Sequence, residues 1–149
     1  MRRKDEVSLL RAITEVRDLQ RAAAEMEAAR AAAALREKNE AKSEVERARQ
    51  SSEECWLNAV QGPAIRLEIV PLWSAQMVHE SESARRAFAD AEAASAELKR
   101  RAADWHAAVA RRDAAGALAR EAAKDEQRRR DEATLQESAD CHTRPRRIP

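Results

Sequence analysis

Along the N-terminal half of the chain, apolar residues recur at alternating spacings of three and four: Leu9, Ala12, Val16, Leu19, Ala23 and Met26. This is a heptad rhythm, which places one continuous stripe on a helix. The rhythm slips through an Ala-rich stretch and resumes as Ala31, Ala34, Lys38, Ala41, Val45, Ala48, Ser52, Cys55 and Ala59. It predicts a helix over 4–60 with a local change of supercoil between Met26 and Ala31. A second helix is predicted over 71–138 from Met77, Ser81, Ala84, Phe88, Ala91, Ser95, Leu98, Ala102, Trp105 and Val109. The same rhythm continues less well through Arg112, Gly116, Ala119 and Ala123, so the distal part of this helix is weakly specified and expected to fray.

Between the two patterns, over 61–71, stand Gly62, Pro63 and Pro71. Gly62 is expected to take the left-handed conformation at a helix C-terminus, and Pro63 cannot donate the next backbone hydrogen bond. Pro71 suits the first turn of a new helix, where its missing N–H would be unsatisfied anyway. The expected fold is therefore all-α: a long antiparallel two-helix coiled-coil hairpin over 1–140, a rod of about 85–100 Å at 1.5 Å per residue. A single long helix that dimerises is the competing arrangement, and an interior proline costs it about 3 kcal/mol. The last residues, 141–149 (CHTRPRRIP), are expected to form a disordered basic tail.

Composition sharpens the shape. Of the 149 residues 35 are Ala and only 28 are large apolar ones, too thin a supply for an ordinary globular core. Ala, Glu, Arg, Leu and Lys favour helix, and two Gly with four Pro supply too few turn residues for a loop-rich or β-rich fold. Charge is abundant but balanced, 28 Lys and Arg against 27 Asp and Glu, so no chain-wide field draws in nucleic acid or an anionic membrane. The start, MRRKDEVSLL, lacks the apolar run of a secretory signal. The most apolar stretch, 56–78, is interrupted by Gly62, Pro63, Arg66, Glu68 and Pro71, so no membrane insertion is expected.

Candidate chemistry is sparse. Cys55 and Cys141 form no CxxC pair, and reduced thiols are expected. Of the three histidines, His79 and His106 stand in adjacent pairs, His79–Glu80 and Trp105–His106, that point about 100° apart on a helix, and Cys141–His142 could ligate a metal only with outside help, so that a bystander role is expected there. No phosphate-cradling glycine loop or HExxH occurs. The reading therefore names no catalytic, cofactor-binding or metal-binding residue and expects a chain that is not an enzyme and needs no cofactor. What stands out is 55–78, which holds 11 of the 28 large apolar residues. Ile65, Leu67 and Ile69 alternate with Arg66 and Glu68, the period of a short extended segment. Trp56, Val60, Ile65, Ile69, Leu72 and Trp73 are expected to pack on one another to close the hairpin, or the cluster is a patch for a partner with Trp56 or Trp73 as anchor, and the two can coexist. Partner-binding candidates are thus Trp56, Ile65, Leu67, Ile69 and Trp73 at this end. At the other end are Arg2, Arg3, Lys4, Arg128, Arg129 and Arg130, either solvated beside acidic neighbours or docked on an acidic surface or phosphate.

A charged, Ala/Arg/Glu-rich helical chain with MRRKDEVSLLRAITEVRDL at its start and ELKRRAADWHAAVARRD in its second helix resembles the type III secretion stalk family, the flagellar FliJ protein and its YscO- and HrpO-type injectisome counterparts. The resemblance covers Arg2 to about Ser138 and rests on architecture and composition. It implies a non-catalytic stalk or escort of a bacterial protein export apparatus, cytoplasmic and peripheral to the inner-membrane machinery. The implied partners are the hexameric export ATPase, the cytosolic domain of the export gate and secretion chaperones, with no nucleic acid, and the chain itself a monomer or weak homo-oligomer. Two other readings remain open: a generic coiled-coil adaptor self-associating or binding through the apolar tip, and a nucleic-acid binder using the basic end.

Overall fold

The computed structural model describes residues 2–62 and 67–143, with side-chain surroundings for 5–62 and 67–139. Two helices account for nearly all of it: α1, Arg2–Gln61, and α2, Val70–Thr143, with a single 3-10 turn, Leu67–Ile69, before α2. Local chemistry explains their length. Good helix formers are supported by carboxylate–arginine pairs one turn apart: Arg49 reaches Glu46 at 2.9 Å and Glu53 at 3.1 Å, and Glu97 receives Arg100 at 2.6 Å and Arg101 at 2.8 Å.

α1 stops at Gln61, but not by the route the sequence suggests. Gly62 does not adopt a positive φ. Proline crowds the residue before it out of the helical region, so Pro63 itself is sufficient to end the helix one residue earlier. Pro71 lies in the first turn of α2, as its chemistry favours. The expected extended segment is corrected as well: Leu67, Glu68 and Ile69 form the 3-10 turn, which leads directly into α2, while Ile65 and Arg66 lie outside the described residues. α2 also runs further than expected, through Cys141, His142 and Thr143, so the proposed tail does not begin at Cys141; 144–149 lie outside the described residues.

The two helices pack against each other, and their contacts group into two compact units. One joins the part of α1 up to Ala24 with α2 from Trp105 onward. In it Val7, Leu10, Thr14, Arg17, Arg21 and Ala24 form the sheltered face of α1, opposite Trp105, Ala108, Arg112, Ala115, Ala119 and Ala122. Arg112 Nε donates to Asp18 Oδ1 at 2.8 Å across the pair. The other unit spans Glu25–Asp104. Ala28, Ala31, Leu35, Val45, Ser52 and Trp56 of α1 are sheltered there against Trp73, Met77, Ala84, Ala91, Ala94 and Leu98 of α2. Its cross-helix contacts include Lys38 to Asp90 at 3.3 Å, Lys42 over the Phe88 ring at 3.8 Å, and Arg101 to Glu27 at 3.9 Å. Ser52 Oγ also donates to Glu80 Oε1 at 2.7 Å.

The sheltered faces keep the three/four rhythm throughout, and they are thin. Among the described residues the buried hydrophobic positions are Ala31, Ala91, Ala108 and Ala115, and no side chain is fully enclosed. For α2 the sequence pattern is largely right. For α1 it is mostly wrong: Leu9, Val16, Leu19 and Met26, expected in the seam, are exposed, Leu19 at 73%, and of the resumed run only Ala31, Val45 and Ser52 are sheltered while Ala34, Lys38, Ala41, Ala48, Cys55 and Ala59 are exposed. There is also no slip between Met26 and Ala31; Ala24, Ala28 and Ala31 carry the rhythm on. Choosing the stripe by side-chain size misses that arginine stems can line a helix face while their charged heads reach out, and that Ala on the opposing helix permits close approach.

Candidate interaction surface

The apolar end belongs to the unit Glu25–Asp104 and is built by the last turns of α1, the 3-10 turn and the first turns of α2. Trp56 and Trp73 meet there with ring centroids 5.5 Å apart and planes tilted by 43°. Each is half-buried, and together they form the contact that ties the helices here. The cluster closes no further. Leu67 is 79% exposed and Leu72 69% exposed, and Leu57, Val60, Ile69 and Val78 are exposed too. Among the described residues, then, a self-packed tryptophan pair sits inside an outward apolar surface. Ile65, the remaining candidate, lies outside the described residues.

An open cleft of about 560 Å³ lies beside the pair, floored by Trp56, Val70, Trp73 and Met77 and edged by Glu82 and Arg85. A second opening on the α1 side is lined by Glu53, Glu54, Trp56, Leu57 and Met77. One turn further along, Glu80 Oε1 accepts hydrogen bonds from Ser52 Oγ and from Gln76 Nε2, the latter at 2.9 Å. These two bonds, Ser52's above all, hold the Glu80 carboxyl below the usual carboxylate range. Sequence reasoning missed Met77 and Val78 as cleft residues. Their signal was a seam residue next to an apolar neighbour that the seam cannot also cover.

The basic candidates divide. Arg2, Arg3 and Lys4 form the first turn of α1, of which the backbone alone is described. Arg128, Arg129 and Arg130 are exposed on α2. Arg128 pairs with Asp125, and Arg130 pairs with Glu126 at 3.1 Å. Arg129 borders an opening with Glu6, Val7, Leu10 and Leu118, which puts the start of α1 beside this part of α2. Two of the three arginines are therefore tied to carboxylates of their own helix.

Trp105 and His106 lie with ring centroids 4.8 Å apart, and the Trp105 indole Nε1 is buried with no hydrogen-bond partner. Cys55 is an exposed free thiol. Among the described residues no group of three or more His, Cys, Asp or Glu is placed to hold a metal ion, and no helix is long and apolar enough to cross a membrane. No protein-family model, curated protein or solved structure matches the chain.

Proposed function

We propose that the chain is an antiparallel coiled-coil hairpin that serves as a non-catalytic stalk or escort in a bacterial type III protein export apparatus. Its partners would be the hexameric export ATPase, the cytosolic domain of the export gate and secretion chaperones. Pairing within each unit supports the antiparallel part: in the Glu25–Asp104 unit, residues 27, 38, 42, 52 and 56 meet 101, 90, 88, 80 and 73 in turn, so each step along α1 is matched by a step back along α2. The observation that carries the functional part is the exposed apolar surface around Trp56 and Trp73, with clefts open to solvent rather than enclosed. Such surfaces act by docking, because catalysis needs groups converging in a site that excludes water. The family itself rests on the sequence resemblance alone.

The test is reconstitution with a purified hexameric export ATPase. The chain is expected to co-purify with the hexamer and raise its turnover, and Trp73→Ala is expected to weaken both effects. Absence of binding and stimulation would remove the stalk reading. A second reading, an adaptor that self-associates through the tip, is favoured by the exposure of Leu67 and Leu72. Association that grows with concentration and disappears in Trp73→Ala, without any ATPase effect, would select it.

A further inference from the structure

α1 carries two heptad stripes, and the more apolar one faces away from α2. Leu9, Ala12, Val16, Leu19 and Ala23 follow one another at spacings of three and four, all exposed, with Leu9 60% and Leu19 73% accessible. None of the five is polar. The face that α1 turns toward α2 in the same unit contains Thr14, Arg17 and Arg21 among its six positions. A helix meeting one neighbour puts its apolar stripe toward that neighbour, so a second, cleaner stripe on the opposite side fits a helix that meets two.

We propose that this outward stripe pairs with the same stripe of a second copy of this chain. The heptad spacing makes the occupant a helix, since knobs repeating every three and four residues fill holes of the same period. The flanking positions point to self-pairing. Charged residues beside a seam select the partner, yet Ser8, Ile13, Glu15, Gln20 and Ala22 include a single charge. In a parallel, in-register pair Glu15 of one copy meets Gln20 of the other, so no like charges oppose and no charge code specifies a foreign helix. Val16 and Leu19 then occupy the β-branched and Leu positions that suit a parallel two-stranded seam. Five positions are few. A stable specific interface buries roughly 1,200 Å² or more, which five positions with two alanines among them do not supply, so the expected dimer is weak and depends on concentration.

Sedimentation equilibrium of the full chain, without ATPase, tests this from micromolar to millimolar concentration. A monomer–dimer equilibrium is expected. Leu19→Glu should weaken it by about tenfold or more, because burying unpaired carboxylates in an apolar seam is costly, while far-UV circular dichroism stays unchanged because Leu19 is exposed in the monomer. Trp73→Ala should leave the equilibrium as it is. A monomer at every concentration, a dimer indifferent to Leu19→Glu, or one abolished by Trp73→Ala would overturn the proposal. None of these results bears on whether the chain binds an export ATPase.

Discussion

Gly116 lies buried inside α2 beside Ala115, without a positive φ and with no turn to make. A methyl group placed there would meet one nearby atom, Arg120 Nη1 at 3.4 Å, the far end of a flexible side chain. Glycine costs a helix interior about 0.5–1 kcal/mol relative to alanine, so Gly116→Ala should stabilise the chain by about that much in urea unfolding. Glu80 gives a second residue-scale expectation. Its carboxyl titrates below the usual range because Ser52 and Gln76 bond its charged form. Such a group contributes stability that is present above the unfolded carboxylate pKa and lost as pH falls through the lower folded value. The urea midpoint of the chain should therefore fall on acidification through that window. Glu80→Gln should fall less over the same window, and an equal fall in both would show that the Glu80 bonds contribute nothing.

At the scale of the elements, size and burial are inverted between Ala91 of α2 and Leu19 of α1, which makes the packing easy to test. Ala91 is 6% exposed and Leu19 73% exposed. Enlarging the first overfills a close helix contact, so Ala91→Leu should cost about 1–3 kcal/mol. Leu19→Ala should change monomer stability by no more than about 0.5 kcal/mol. A seam running through Leu19 would instead make Leu19→Ala cost about 2–5 kcal/mol. How far the elements were legible follows from the same contrast. Helix formers, Pro63 and Pro71 set the number of helices and their limits to within a few residues, except where α2 continues to Thr143. The face of α2 was legible because Met77, Leu98 and Trp105 agree with Ala91 and Ala119 on one rhythm. The face of α1 was not, because two heptad stripes compete there. The one with larger side chains lost to one containing Thr14, Arg17 and Arg21, whose suitability depends on Asp18 meeting Arg112 and on a small-residue partner face. The tip tryptophans were legible as a pair through their density in sequence, whereas the openness of Leu67 and Leu72 depends on a 3-10 turn that the alternation of Ile65, Leu67 and Ile69 disguises.

Over the whole molecule, what the described residues bury is small, and many of their large apolar side chains are exposed. The buried hydrophobic positions are alanines, whereas Leu9, Leu19, Leu57, Leu67, Leu72 and Leu135 all face outward. Burial contributes in proportion to apolar area, so such a chain gains little from its own core and has much to gain from partners. Both the stalk reading and the dimer draw on that surplus, at different places: the tip for the one, the outer stripe of α1 for the other. Each presupposes that α1 and α2 are paired in the register described, and electron–electron distance measurement tests this directly. With Cys55 and Cys141 replaced by Ser, spin labels would be placed at Lys38 and Asp90 in one sample and at Asp18 and Arg112 in another. Helix axes in contact lie about 8–10 Å apart, so both samples should give narrow distributions in the short range set by that spacing and the label arms. A broad distribution, or one centred at several times that spacing, in either sample would contradict the pairing from which the account is built.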